Sequence, residues 1–175
     1  MLKLYNGGNF DVIYNIMKKS FPNSEIRSKR GQKALLKDER YTIYCYEKEG
    51  VFVGILCVWQ IQAGVFLEHF AVLPEFRNMG IGSHMLKEIV SLDENKERFI
   101  FLEAEPVTDE MTLRRIDFYK RNGFFVNDYE YCQPAFSPNL PAVPLKIMTY
   151  GRAVSEGEFN QIKRSIYVEV YNKAP

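Results

Sequence analysis

A glycine-rich turn is the part of this sequence whose residues are best suited to chemistry. Arg77-Asn78-Met79-Gly80-Ile81-Gly82 lies between a predicted strand and a predicted helix. The first amides of a helix have no backbone acceptor, and the helix dipole makes that end positive. Glycines let an anion approach those amides closely, while Ser83 adds a hydroxyl and Arg77 a forked cation. The turn therefore predicts a site for a diphosphate.

Two common nucleotide-binding patterns do not fit this turn. A Walker-type loop needs Gly-Lys-Ser/Thr, whereas Gly82 is followed by Ser83 and His84. The dinucleotide fingerprint needs a third glycine where this chain has Met85. Gly-x-Gly alone is a weak signal, so a turn that only reverses the chain is the alternative at this point.

Two stretches of the chain resemble the GNAT superfamily of N-acyltransferases. The first is an R/Q-x-x-G-x-G/A motif at Arg77–Gly82, preceded by Ala71-Val72-Leu73-Pro74. The second, Ile116–Phe124, is similar to the family's F-Y-x-x-x-G-F helix end. Their order, with a buried strand between them, is more specific than either match alone. The resemblance covers about 41–150 well and the N-terminal helices loosely, while the helix after Ser155 extends beyond the common core.

The resemblance implies acetyl-CoA as the donor, with its pantetheine arm in a gap where the strand ending at Val72 splays from the Phe99 strand. It implies main-chain bonds from β-strand residues to the arm and a pyrophosphate site in the turn. The cofactor-binding residues expected on this basis are Phe70, Ala71, Val72, Arg77, Asn78, Met79, Gly80, Ile81, Gly82 and Ser83. Direct attack by a neutral amine on the thioester requires no metal.

The chemistry also needs a proton donor and a proton acceptor. Tyr119 matches the family position for the acid, although an aromatic on an inner helix face also suits a core. Glu68 alternates with Phe66 and Phe70, which predicts that the three share one strand face. Burial there would raise the pKa of Glu68 toward that of a useful base. Simple pairing of Glu68 with Arg or Lys is an equal alternative.

Other polar residues near these strands have weaker claims. His69 should point to the opposite face from Glu68 as a core histidine. Glu103 and Glu105 are candidates to bind a cationic acceptor, with pairing to Arg114 or Arg115 as the alternative. Cys132 is not assigned as a nucleophile, because direct transfer needs none.

The elements that must position these residues follow from spacing and breakers. The order predicts an α/β (α+β mixed) fold. Its central sheet is mixed and, by the resemblance, largely antiparallel, with a splayed parallel strand pair and flanking helices. Helices are predicted from Asn9 or Asp11 to Lys19 and over 26–37, 80–90, 112–121 and 155–171, with Asn122-Gly123 as a C-cap and Ser155 and Glu158 as a capping box. Strands are predicted at 41–46, 51–61, 65–72, 98–104, near 125–133 and at 145–150, with a proline-rich loop at 134–144.

Length and composition indicate one domain over 1–175. A net charge of +1 gives no electrostatic footprint for nucleic acid. Three cysteines without CxxC spacing indicate neither a disulfide framework nor zinc. The polar N-terminus and the lack of a long apolar run predict a cytoplasmic protein that does not bind membranes. Tyr167 and Tyr171, expected to be exposed, suggest a homodimer surface.

These expectations lead to one functional hypothesis and one alternative. The hypothesis is transfer of an acetyl group from acetyl-CoA to a primary amine of a small molecule or a peptide. The alternative is a catalytically inactive acetyl-CoA-binding sensor or interaction module.

Overall fold

One mixed sheet organises the chain. In the computed structural model, which describes residues 1–137 and 139–174, the strand order is β1-β2-β3-β4-β5-β8-β6, with β7 paired to β8. The strands are β1 (Leu2–Leu4), β2 (Tyr41–Lys48), β3 (Val51–Ile61), β4 (Gly64–Val72), β5 (Ile100–Ala104), β6 (Phe124–Val126), β7 (Tyr131–Gln133) and β8 (Val143–Tyr150). The helices are α1 (Phe10–Ser20), α2 (Lys29–Ala34), α3 (Ile81–Ser91), α4 (Glu110–Arg121) and α5 (Glu156–Ser165). The mixed α/β fold and the parallel strand pair are confirmed.

Helices cover both faces of the sheet. On the face that we call the α1 face, Ile13 of α1 and Phe159 of α5 are buried with Trp59 of β3. On the opposite α3 face, Met85 of α3 and Ile116 of α4 are buried with other strand residues. Apolar side chains of β5 are buried in both cores. This confirms that β5 is a strand buried on both faces, as its nearly continuous apolar sequence predicts.

Several predicted boundaries are confirmed because local chemistry determines them. The Asn9 side chain accepts a hydrogen bond from the Asp11 amide and caps α1. The capping box of Ser155 and Glu158 starts α5. Gly123, at a φ of 86°, supplies the left-handed turn after α4.

Other boundaries differ from prediction. β1 was not predicted, because three residues carry too little pattern. The second helix is only Lys29–Ala34 with a 3₁₀ turn to Lys37, since Ser28 caps it at the Gly31 amide. The 125–133 segment contains two short strands, β6 and β7. Pro138, in the predicted proline-rich loop, lies outside the described residues.

The C-terminal tyrosines were wrongly predicted to be exposed. Tyr171 is 8% exposed and belongs to the α1-face core. Tyr167 is half-buried, and its hydroxyl donates to the Cys132 carbonyl. Within the described ranges, none of the helices has both the length and the apolarity that crossing a bilayer demands.

The parallel strands β4 and β5 separate partway along their length. Their pairing runs from Val65 with Ile100 to Leu67 with Leu102 and stops there. β4 continues to Val72 while still paired with β3. We call the gap between residues 68–72 of β4 and residues 103–104 of β5 the fork. It confirms the predicted splay and leaves one edge of β4 without a neighbouring strand.

Candidate active site

The glycine-rich turn forms an open cradle before α3. Asn78 and Gly80 both adopt left-handed backbone conformations, with φ angles of 62° and 75°. Gly80 is the N-cap of α3 and provides no side-chain cap, so the first amides of the helix face outward. The first hydrogen bond to the cap runs from the His84 amide to the Gly80 carbonyl, at 3.0 Å. Unpaired amides at a positive helix end suit a phosphate.

Arg77 and Gly82 also have structural roles beyond those predicted. The Arg77 Nε donates to the Val72 carbonyl oxygen at 3.0 Å, which ties the turn back to the end of β4. A Cβ at Gly82 would lie 3.1 Å from Cζ of Phe118 and 3.4 Å from Cζ of Phe70. The absence of a side chain at Gly82 therefore permits close ring packing as well as close ligand approach.

Three aromatic rings line the α3-face side of the fork. The Phe70 ring centroid lies 6.1 Å from that of Phe118 and 6.4 Å from that of Tyr119. The Tyr119 side chain is 7% exposed, and its ring packs near Phe70 of β4. The predicted acid therefore lies beside the free part of β4. Burial raises the pKa of Tyr119 to about 12, against the opposing effect of Arg115. The phenol is thus protonated near neutral pH and can donate a proton.

Glu68 is buried, as predicted, but β4 is irregular at this position. Register with β3 jumps from Cys57–His69 to Val58–Leu67, so Glu68 is the extra residue of a β-bulge. The bulge breaks the alternation of side chains. Phe66 lies on the α1 face while Phe70 packs on the α3 face, so the predicted shared face of Glu68 with both phenylalanines is wrong.

The predicted rise in the pKa of Glu68 is also wrong. Burial does raise it, but Arg27 Nη1 at 2.5 Å, the neighbouring His69 and the Trp59 indole at 2.8 Å favour the charged form more. The pKa of Glu68 falls to about 2. Pairing with an arginine, the alternative interpretation, is what the structure shows.

His69 is a buried histidine, as predicted, at 2% exposure. Its Nε2 lies 2.9 Å from the Glu25 carbonyl oxygen, and its Nδ1 lies 3.5 Å from Glu68 Oε2. The ring meets Phe21, which follows α1, edge to face. His69 therefore shares the α1 face with Glu68, and the prediction that it points to the opposite face is wrong, because the bulge brings consecutive residues to one side. Burial lowers the pKa of His69, but the Glu68 carboxylate and Cys57 together outweigh burial, so the pKa is raised overall.

Glu103 lies in a different electrostatic environment. The hydroxyls of Tyr131 and Tyr171 donate to its carboxylate, the latter at 3.0 Å from Oε2. Burial raises the pKa of Glu103 to about 7, partly offset by these two hydrogen bonds. Among the described residues, no lysine or arginine forms an ion pair with Glu103. A carboxyl group with this pKa can accept and release a proton near neutral pH.

Glu105 lies at the outer end of the fork. It forms an ion pair with Arg115 of α4, which was the alternative to an acceptor-binding role. Arg114 pairs instead with Glu110 on the helix surface. In 1–137 and 139–174, no group of three or more His, Cys, Asp or Glu residues is arranged to hold a metal ion.

A groove of about 680 Å³ opens on the α1 face beside the fork. It lies between the segment preceding α2, the loop after β7 and the residues following α5. The guanidinium of Arg27, 12% exposed, lies 4.5 Å from the Phe136 ring centroid and 5.8 Å from that of Tyr171. Arg27 and Tyr171 thus connect the groove to the two carboxylates of the fork, and the sequence did not identify either as a site residue.

Comparisons of the fold agree with this geometry. A GNAT-family protein from Bacteroides thetaiotaomicron superposes with a TM-score of 0.84 at 24% identity, over 98% of both chains. A GNAT acetyltransferase from Elizabethkingia anophelis with acetyl-CoA bound gives 0.62 at 15% identity, over 86% of this chain and 96% of that one. The ribosomal-protein-S18-alanine N-acetyltransferase from Escherichia coli gives 0.60 at 18% identity, over 89% and 96%. These likenesses establish the fold.

The sequence itself shows the family through a match to a family model. A comparison of the sequence with curated proteins found no match. A sequence model described as the acetyltransferase (GNAT) family matches residues 10–124, which is more than half of the chain. That match includes the cradle, the fork and the helix carrying Tyr119. The chain therefore belongs to the GNAT family of acetyltransferases, which are in general acetyl-CoA-dependent acyltransferases.

Proposed function

We propose that this protein transfers an acetyl group from acetyl-CoA to a primary amine of a small molecule or a peptide. The observation that carries the proposal is the fork itself, which has two carboxylates in contrasting environments on one face and a buried phenol on the other. The phosphate cradle lies at the end of β4, the strand that forms one side of the fork. A donor held by the cradle can therefore extend its thioester into the gap.

The donor site combines the cradle with the free edge of β4. Outward-facing amides from Gly80 to Ser83 would bind the pyrophosphate, helped by the exposed guanidinium of Arg77 and the main chain at Asn78 and Met79. The edge of β4 that faces the fork, from Phe70 through Ala71 to Val72, would bond the pantetheine arm as an added strand does. The GNAT neighbour from Elizabethkingia anophelis, which has this fold, was crystallised with acetyl-CoA bound, and this supports acetyl-CoA as the donor.

We assign the proton acceptor to Glu103. The acceptor ammonium would pass its proton to the Glu103 carboxylate, directly or through one water, and the neutral amine would attack the thioester carbonyl carbon. As the carbon–sulfur bond breaks, the leaving thiolate would take the proton of the Tyr119 hydroxyl. The second proton of the attacking nitrogen would pass through water to the Tyr119 phenolate, which leaves a neutral amide and restores the phenol, and Glu103 would release its proton to solvent. Acid and base lie on opposite faces of the sheet, so the amine can attack the carbonyl carbon from the side of Glu103 while the thiolate departs on the side of Tyr119.

Glu68 has a different role in this scheme. With a pKa near 2 it is too weak a base to deprotonate an ammonium efficiently. Its ion pair with Arg27 instead fixes one wall of the α1-face groove, through which we propose that the acceptor enters. Glu68 thus acts as an acceptor-site residue, and Glu105, tied to Arg115, lies at the outer end of the fork.

The proposal is tested by free-thiol release from acetyl-CoA over a panel of amines. The panel should include amino acids, polyamines and peptides beginning with alanine, the residue acetylated by the S18-alanine enzyme. Amine-dependent thiol release with a stoichiometric acetylated product is the expected result. Tight acetyl-CoA binding by calorimetry, without turnover on any amine, would favour a sensor or interaction module instead.

A further inference from the structure

We infer that the turn following α5 is part of the active site and that Tyr171 is a positioning residue for Glu103. This inference rests on the proposed function, in which Glu103 accepts a proton. It concerns residues beyond 10–124, the region that the family model matches. The site would therefore be completed by a C-terminal element outside that region.

The backbone at the end of α5 explains how this element reaches the fork. The last turn, Ile166–Val170, is a π-helical turn, with the Tyr171 amide donating to the Ile166 carbonyl at 3.2 Å. A π turn accommodates one more residue than an α turn and is frequent at functional sites. Here, the last residue of the turn, Val170, and the residue after it, Tyr171, reach the two carboxylate environments of the fork. The Val170 carbonyl accepts from Arg27 Nη2 at 3.1 Å, while the Tyr171 hydroxyl donates to Glu103.

The charged and titratable groups that act on Glu103 come from several elements. β7 contributes Tyr131 and the post-α5 turn contributes Tyr171, each through a hydroxyl donor. β4 contributes the negative charge of Glu68 and the opposing effect of His69. On β8, the residue paired with Glu103 is the apolar Ile147.

These contacts give Tyr171 two effects on the carboxylate. Its hydroxyl lies 3.0 and 3.3 Å from the two oxygens, so it restricts rotation of the carboxylate. A hydroxyl that donates to a carboxylate also favours its charged form. Loss of the hydroxyl should therefore raise the pKa of Glu103. A tyrosine that only fills the core would leave that pKa unchanged when its hydroxyl alone is removed.

The test is a titration of the Glu103 carboxyl carbon by NMR in the full chain, without acetyl-CoA. Glu103→Gln identifies the signal. Tyr171→Phe keeps the ring on Phe136, whose centroid is 5.2 Å away, and removes only the hydroxyl. Tyr167→Phe is the matched control, because Tyr167 lies in the same C-terminal turn and close enough to Glu103 for that carboxylate to raise its pKa, yet its hydroxyl donates to the Cys132 carbonyl of β7.

We expect Tyr171→Phe to raise the pKa of Glu103 by about one pH unit, since a hydrogen bond to a charged group changes the equilibrium roughly tenfold. Tyr167→Phe should leave it unchanged. Equal shifts in both variants, or none in Tyr171→Phe, would overturn the inference. The acid limb of kcat/KM should move by the same amount in Tyr171→Phe. If no amine is acetylated, the proposed function fails, while the NMR titration still decides the role of Tyr171.

Discussion

Glu68 and Glu103 are the first residues beyond the last paired step of β4 and β5, Leu67 with Leu102, and both side chains lie on the α1 face. Glu68 is neutralised by Arg27, whereas the partners of the Glu103 carboxylate, within the described part of the chain, are phenolic hydroxyls. Their pKa values are accordingly about 2 and about 7. Neighbouring carboxylates whose pKa values are driven apart take different roles in catalysis, and here only Glu103 is suited to move protons near pH 7.

Replacing Glu103 by Gln should remove the proton acceptor while keeping a side chain of the same shape. We expect kcat/KM to fall by roughly 10²-fold or more, the usual contribution of a general base. In the wild type, kcat/KM should rise as pH increases through about 7, because the base acts in its deprotonated form, and this limb should vanish in the variant. The exposed Glu130→Gln serves as control. Wild-type kcat/KM in Glu103→Gln would contradict the assignment.

Replacing Arg27 by Met should destabilise the fold, since it leaves the buried Glu68 carboxylate without its main partner. Loss of one member of a buried pair costs about 3–5 kcal/mol in the free energy of unfolding. The pKa of Glu68 is about 2 in the folded state, compared with 4.5 in the unfolded chain. The ion pair therefore stabilises the wild type fully at pH values above 4.5, and this stabilisation is lost as the pH falls toward 2.

Urea unfolding at pH 7 and at pH 3 measures both effects of Arg27. The difference between wild type and Arg27→Met should be larger at pH 7 than at pH 3. Arg114→Met removes a surface pair with Glu110 and should change stability little at either pH. Equal losses from the two substitutions would show that the Arg27 pair is not buried in solution.

Replacing Tyr119 by Phe should slow transfer without weakening donor binding. The thiolate would lose its proton donor, so we expect kcat to fall by roughly 10-fold or more, while the affinity for acetyl-CoA stays near that of the wild type. Tyr129→Phe is a matched control, because that ring packs on Phe159, at 4.8 Å between centroids, on the other face of the sheet. An unchanged kcat in Tyr119→Phe would assign Tyr119 to the core alone.

Replacing Gly82 by Ala should weaken acetyl-CoA binding. The new methyl would press on Phe118 at 3.1 Å and crowd the amides that bind the pyrophosphate. We expect Kd to rise about tenfold, which corresponds to a loss of roughly 1.4 kcal/mol in binding free energy. Gly157→Ala in α5 is the control, because a Cβ there meets no atom within 4 Å. Calorimetry should show a weakened Kd in Gly82→Ala only, with a raised Tm in Gly157→Ala.

The features predictable from sequence are those determined by neighbouring residues. The cap at Asn9, the box of Ser155 and Glu158 and the turn at Gly123 depend on local hydrogen bonds or backbone angles. The cradle was recognisable for the same reason. The face occupied by Glu68 was not, because the bulge arises from pairing with β3 and leaves no mark in a two-residue period.

The partners of the two fork carboxylates were equally beyond prediction. Arg27 is 41 residues from Glu68, and Tyr171 is 68 residues from Glu103. In the sequence, Arg27 is one cation in a basic stretch, and Tyr171 follows an ordinary amphipathic helix. Only tertiary packing shows that, among the described residues, one carboxylate is paired with an arginine and the other is not. Our proposal that Glu103 and not Glu68 is the proton acceptor rests on that difference.

The most direct test of the central claim is a crystal structure with acetyl-CoA bound. We predict that the pyrophosphate contacts the amides from Gly80 to Ser83 and that the thioester lies in the fork beyond Leu67 and Leu102. Its sulfur should be within hydrogen-bonding reach of the Tyr119 hydroxyl, and the acetyl carbon should face the side of the sheet that carries Glu103. Acetyl-CoA bound elsewhere, or bound with its thioester outside the fork, would contradict this account.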